Sequence, residues 1–349
     1  MGIGAVFLDN IFGDDISEPK YRASWLLNLM LYSTLPMLLL LSVAYAWQLS
    51  PGDFLSIGAL VQQNTGFNIL AAKAQTPLIH LVGGGLSLGF YYAAGGTNVG
   101  HELTHRTRSL PALIAGRWML AFTSDASFAV EHVFGHHVNI ATPKDPATAK
   151  RGESAWPFIV RSTIFSYTSA WKLERQRLKN KGYSMWSWRN RMHRGNLMTA
   201  CYATLFGVAA GYVGVFAFFA VSLYGKMYLE LINYVEHYGL VRVPGAPVEP
   251  KHSWNCNQKI SSWVLYNLPR HSHHHAQAST PFWALKSYPD APMLPYGYLT
   301  MLGIAAVPPI WHRMMTQRVL QWDKQYANEG ERQLAKEANA MSGLPAFMQ

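Results

Sequence analysis

Nine of the 14 histidines in this chain fall into four short runs with the spacing of metal ligands. His101 and His105 stand in HELTH, His132, His136 and His137 in EHVFGHH, His237 in NYVEHYG, and His271, His274 and His275 in RHSHHH. Residues four apart on a helix share a face, so His101 and His105 are placed to approach one ion, and so are His132 and His136. His137 points about 100° further round the helix and suits a second ion or the space between two. His271, His274 and His275 repeat that arrangement. Neutral imidazole is a ligand for iron, zinc, copper or nickel, whereas magnesium and calcium take oxygens. A tetrahedral zinc uses four ligands and a catalytic zinc three, so nine imidazoles call for two ions of higher coordination number, and iron is favoured. His80, His193, His252 and His312 stand alone and read as ordinary hydrogen-bonded polar groups.

The elements that must position these side chains are apolar. Half of the 349 residues are hydrophobic and 14% are charged, against the roughly 25% charged residues of a soluble domain. Trp25–Leu49 is uncharged and long enough to cross a hydrocarbon core, which takes about 20 residues. Leu197–Tyr224 is a second such run, and Pro77–Val99 a third with a Gly-rich centre. Leu110–Val130 and Met293–Trp311 are weaker, carrying Arg117 and Asp125, or Pro308 and Pro309. Tyr228–Leu240 carries Glu230, Glu236 and His237, which suit a protein interior and not lipid. The expectation is an all-α, integral-membrane bundle of about six transmembrane helices.

No composition break or repeat divides residues 1–349, which read as a single domain with a polar, helix-forming tail from about residue 320. The N-terminus lacks the basic start, apolar core and small-residue cleavage site of a secretory signal. Cys201 and Cys256 have no CxxC spacing, so neither a disulfide framework nor a thiolate site is expected. Twelve Lys and Arg lie between Lys144 and Arg194, against Asp145, Glu153 and Glu174. The positive-inside rule puts that segment, and the histidine runs beside it, on the cytoplasmic side. Anionic lipid headgroups account for the basic stretch, and an acidic electron carrier steered by charge is the second use it suits.

Several blocks together resemble a known family. GHELTHR, EHVFGHHVNIATPKDPATA, NYVEHYGLVR, HSWN and RHSHHHA are similar to the signature segments of integral-membrane, non-haem diiron alkane 1-monooxygenases, within the broader fatty-acid desaturase and hydroxylase superfamily. The likeness runs from about Gly100 to Trp322; HELTH alone also fits desaturases. The tail WDKQYANEGERQLAKEANAMSGLP resembles the xylene and cymene methyl-group monooxygenases.

This resemblance implies a diiron site at the cytoplasmic end of the bundle, held by His101, His105, His132, His136, His137, His237, His271, His274 and His275. It implies two iron ions cycling between Fe2+ and Fe3+, dioxygen as co-substrate, and terminal hydroxylation of medium-chain alkanes to 1-alkanols. The electrons would come from rubredoxin and rubredoxin reductase, or from a flavin and iron-sulfur reductase as in the xylene branch. This chain has neither a GxGxxG fingerprint nor a rubredoxin-like cysteine pair. A hydrophobic alkane or alkylbenzene would enter from the bilayer, the expected location is the bacterial inner membrane, multi-pass, and no nucleic-acid partner is expected. The family's last block usually reads HSDHH, so His273 replaces an acid and is expected beside a ligand as a neutral substitute. Glu102, Glu131, Glu236 and Asp145 are the other candidates to support ligands, with Asp145 in TPKDP equally suited to a turn or N-cap. The alternatives are an aromatic methyl-group monooxygenase, a desaturase and a metal transport protein.

Overall fold

The structure is a computed structural model that describes residues 2–21 and 23–348. The described residues form helices and loops, with β-pairing confined to the isolated bridges Asp14–Gln258 and Asn255–Met293. Internal contacts group the chain into two units, one made of Met1–Ser24, Val130–Met185 and Leu229–Gln349, the other of Trp25–Ala129 and Trp186–Tyr228.

The second of these holds most of the strongly apolar helical sequence. Among the described residues three helices are long and apolar enough to cross a membrane: Ser24–Leu49, Leu78–Thr104 and Arg191–His237. The 47-residue stretch Arg191–His237 is not straight, since Ala210 and Gly211 leave helical geometry and Gly211 takes a φ of 59°. Phe206 and Phe218 lie with ring centroids 5.5 Å apart. Twelve residues of continuous helix would separate them by about 18 Å, so the chain turns back on itself at Gly211. Gly214 permits the reversal, because a Cβ there would run into the Phe206 carbonyl. The returning halves bury Tyr202, Phe206 and Phe218 with Leu38, Tyr92 and Phe122 in one core. Phe122 and Tyr202 stack at 4.1 Å.

The expected count of about six spans is met only in part. Leu110–Ala121 is a helix of 12 residues, shorter than a bilayer core requires. The Met293–Trp311 run divides into Tyr298–Ala305 and Pro308–Gln325. Pro308 explains the division: the residue before a proline is driven out of the α region, and Val307 sits at φ −116°, ψ 87°.

The first unit is built on Ala155–Asn180, Tyr298–Ala305, Pro308–Gln325 and Glu329–Ala340, with short helices carrying the histidine motifs. Its core contains Phe158, Tyr234, Tyr238, Trp254, Trp311 and Trp322. The polar tail is more than a surface helix. Asn328 caps Glu329–Ala340 by a reciprocal capping box with Glu331. The buried Glu331 carboxylate also takes a bond from His252 Nε2 at 2.8 Å and faces Lys251 at 2.9 Å. His252 Nδ1 accepts the Glu249 N–H at 2.9 Å, which fixes Nε2 as the protonated nitrogen. His252 is a buried and His312 a half-buried hydrogen-bonded group, the latter between Tyr238 and Ser154.

Candidate metal centre

In the second unit, HELTH forms the end of a helical run, and His101 and His105 bring their Nε2 atoms to 3.2 Å of each other. This is the i, i+4 geometry expected of an α-helix. The run enters this motif through a π-helical segment, Tyr92–Thr97.

In the first unit the geometry departs from the α-helical expectation. His132–His136 is a π-helical turn. Its extra residue per hydrogen-bonded ring brings positions five apart onto one side, and His132 and His137 Nε2 lie 3.0 Å apart. His132 and His136 therefore do not share a set, contrary to the four-residue rule. His137 Nε2 is 3.2 Å from that of His274, so that His132, His137 and His274 converge. His136 joins His237, His271 and His275, four buried imidazoles whose ligand nitrogens lie within 4.8 Å of one another. On the RHSHHH helix, His271 and His275 share that set with Nε2 atoms 2.9 Å apart, while His274 turns to the other.

These donors fit a cation. Neutral imidazole carries one N–H, and four buried rings with converging Nε2 atoms cannot all satisfy one another. His136 shows the arrangement best. Its Nδ1 donates to Asp145 Oδ2 at 2.9 Å, while its Nε2, aimed into the set, is buried without a hydrogen-bond partner among the described residues. A carboxylate behind the outer nitrogen fixes the tautomer and makes the inner nitrogen a better donor to metal. Burial opposes protonation of His136, but Asp145 overrides it and raises its proton affinity; the same contact, against the cost of burial, keeps Asp145 ionised. Burial and the surrounding imidazoles push His275 well below the usual histidine range, leaving the neutral form that binds metal.

The five supporting candidates fare differently. Asp145 bonds His136, and it also braces its own turn: its Oδ1 accepts the Ala147 N–H at 3.0 Å while Thr148 Oγ1 donates to Oδ2 at 2.6 Å. Glu236 lies closer to the site than expected. Its Oε2 is 3.1 Å from His271 Nε2, on the side where the imidazoles converge, and Tyr298 donates to its Oε1 at 3.1 Å. Glu102 turns to Arg106 at 2.9 Å, and Arg106 reaches Asn28. Glu131 is buried, with Ser169 Oγ 3.4 Å from its Oε1, and a Cβ at Gly135 would run into its carboxylate. His273 corrects the expectation of a group beside the ligands. It belongs to neither set in this unit; its Nδ1 accepts the Lys286 N–H at 2.7 Å and its ring packs against Tyr288, anchoring the following loop.

Sequence reasoning missed the supports that come from distant segments. Tyr298 lies in an apolar helix with nothing to mark it. The HSWN block was visible only as a motif, and its work is bracing: Trp254 N–H donates to the Glu236 carbonyl at 2.8 Å, Trp254 Nε1 to the Tyr238 carbonyl at 3.0 Å, and Asn255 Oδ1 accepts the Ser272 N–H at 3.3 Å. It thereby ties NYVEHYG to RHSHHH. Replacing Asp145 with Asn keeps the turn bond while removing the charge behind His136. Metal affinity at that set should fall by about tenfold or more, read by chelator competition on the purified chain; unchanged affinity would show that Asp145 serves only the turn.

Comparison with known proteins places this geometry. Residues 76–304 match the fatty acid desaturase family model. The chain is 38% identical over 239 residues to alkane 1-monooxygenase 1 of Pseudomonas aeruginosa, a match covering 67% of this chain and 62% of that protein. It is 32% identical over 333 residues to an alkane 1-monooxygenase of Ectopseudomonas oleovorans, covering 90% and 75%. It is also 31% identical over 250 residues to the xylene/toluene monooxygenase hydroxylase component of Pseudomonas putida, covering 71% and 67%. The aligned region thus spans less than two thirds of the first of these relatives. A helical chain with histidine-rich clusters and apolar helices of membrane-crossing length is one class of protein, and this chain belongs to the fatty acid desaturase family.

Proposed function

We propose that this protein is a membrane-bound, non-haem diiron monooxygenase that converts a terminal methyl group of a medium-chain alkane to the primary alcohol. The observation that carries the reading is the separation of the first unit's histidines into two convergent sets, in a chain similar over most of its length to alkane 1-monooxygenases. His136, His237, His271 and His275 would hold one iron. His132, His137 and His274 would hold the other, and the family resemblance adds His101 and His105 to the ligands. When bound, the irons supply reductive activation of dioxygen and insertion of one oxygen atom into a C–H bond, with water as the second product.

The chain's own groups orient and insulate. Asp145 keeps His136 in the tautomer that presents Nε2. Tyr298 holds Glu236 against the inner face of His271. Burial of all four rings of the first set excludes water from around the metal, which strengthens each electrostatic interaction there. Rubredoxin and its reductase would supply electrons from outside the chain, and the substrate would arrive from an inner-membrane bilayer. Among the alternatives, hydroxylation of a methyl group on an aromatic ring is supported by the similarity to the xylene/toluene enzyme component.

The test is product analysis by gas chromatography and mass spectrometry, from cells supplying rubredoxin and its reductase and fed octane and p-xylene together. The expected product is mainly 1-octanol. Mainly 4-methylbenzyl alcohol would move the protein to the aromatic branch, and no oxygenated product, with active electron partners present, would reject the monooxygenase reading.

A further inference from the structure

Ala155–Asn180 in the first unit is a 26-residue helix that is not among those apolar enough to span a membrane. One face is conventional: Ala155, Phe158, Ser162, Ala170, Glu174 and Leu178 are buried. Phe158 packs on Tyr234, and Ser162 Oγ donates to Glu230 at 2.5 Å. The other face is not. Trp156, Val160, Ile164 and Tyr167 succeed one another at four- and three-residue steps and stay 49%, 60%, 54% and 39% exposed. Trp156 Nε1 donates to the Ala306 carbonyl, so the exposed Val307 and Ile310 continue the same apolar surface. An apolar patch of this extent on a protein surface needs an occupant.

The charge order along the helix identifies it. Tyr167 and Trp171 close the apolar stripe, and the exposed cations Lys172, Arg175, Lys179 and Lys181 follow within the next ten residues. Apolar side chains, then aromatics, then Lys and Arg is the order met on passing from acyl chains through the interface to anionic headgroups. The stretch from Trp156 to Trp171 is about 22 Å long, too short to cross a core of about 30 Å, and it fits within one leaflet of about 15 Å when inclined to the membrane normal. A second copy of the chain would cover the apolar stripe and leave the ordered cations without a role.

We propose that Ala155–Asn180 is a lipid-bound helix, its apolar face seated in one leaflet and its basic end on anionic lipid headgroups. Most of the helix's exposed positive charge is then engaged by lipid and is not the surface on which an acidic electron carrier docks.

The test uses the full-length protein with the exposed Cys201 changed to Ser, in nanodiscs of mixed phosphatidylcholine and phosphatidylglycerol. Nitroxides are attached at Val160→Cys, Ile164→Cys and, separately, Lys179→Cys. At the first two positions, collisions with oxygen should exceed those with a neutral water-soluble nickel chelate several-fold, with the order reversed at Lys179→Cys. Nickel-dominated relaxation at Val160→Cys and Ile164→Cys would overturn the proposal. So would shielding from both reagents, which would mean that a second copy covers the face. In a second measurement, the wild-type chain should retain phosphatidylglycerol over phosphatidylcholine on purification. Lys172→Gln/Arg175→Gln/Lys179→Gln should reduce that preference by roughly fivefold or more, since each cation near an anionic surface contributes about that factor; an unchanged preference would reject the headgroup contact.

Discussion

His136→Ala should remove one iron and leave the other, and His274→Ala should do the converse. The prediction follows from the division of the first unit's histidines: His136 belongs with His237, His271 and His275, whereas His274 belongs with His132 and His137. Were the two histidines ligands of one shared site, either change would lower bound metal in the same way and the double variant would add little. With separate sites, each single variant should bind about one iron per chain fewer than wild type, and the double variant should bind almost none. On the proposed function, hydroxylation should be abolished in both, because oxygen activation at a diiron centre would draw on both metals, while His312→Ala should keep metal and activity. Iron analysis with Mössbauer spectroscopy of the two single variants reads the assignment directly. Loss of the same spectral component in both would refute the two-set division, and normal activity in His136→Ala would refute its role as a ligand.

That division was only half legible in the sequence. His101 and His105 obey the α-helical period, and their pairing could be read from spacing alone. The HVFGHH segment follows a different rule because it adopts a π turn, which trades an i→i+4 ring for an i→i+5 ring and repays the local strain only through tertiary contacts. Nothing in those six letters distinguishes the two windings. Gly135 is the nearest thing to a signal, since it lets the Glu131 carboxylate lie across the turn. The long apolar runs were legible as helices, and Pro308 and Pro309 had only weakened the Met293–Trp311 run, which the fold divides there. The reversal at Gly211 lies inside an uncharged run, where hydropathy is blind to direction, and shows itself only in the approach of Phe206 to Phe218. His273 was misread for a related reason. Its neighbours on the chain are ligands, but successive helix residues diverge by about 100°, and its side chain serves the loop at Lys286.

Arg151→Ala should be the most destabilising substitution outside the metal sets. The Arg151 guanidinium is buried and every side of it is used. Nε donates to the Gly239 carbonyl at 2.9 Å, the two terminal nitrogens grip Asp323 at 2.7 and 2.6 Å, and Nη1 also donates to Asn339 Oδ1 at 2.6 Å. One side chain thus links the segment after DPATA, the turn following His237, helix Pro308–Gln325 and helix Glu329–Ala340. Truncation leaves the partly buried Asp323 carboxylate without its cation and the Gly239 carbonyl without its donor. Breaking a buried pair from one side costs about 3–5 kcal/mol, most of it the price of the stranded charge. Arg151→Lys should recover part of this, because an ammonium keeps the charge but not the two-pronged grip. Thermal unfolding of the purified chain at one scan rate and in one detergent gives the comparison. The exposed Arg313→Ala should melt with wild type, Arg151→Lys below it, and Arg151→Ala lowest. Iron affinity supplies a second reading, since the Gly239 N–H is also bonded to the Ala149 carbonyl and the clamp sets the turn two residues beyond His237. If Arg151→Ala melts with Arg313→Ala and binds iron as wild type does, the four segments are held by the surrounding apolar core, and the guanidinium is not what fastens them.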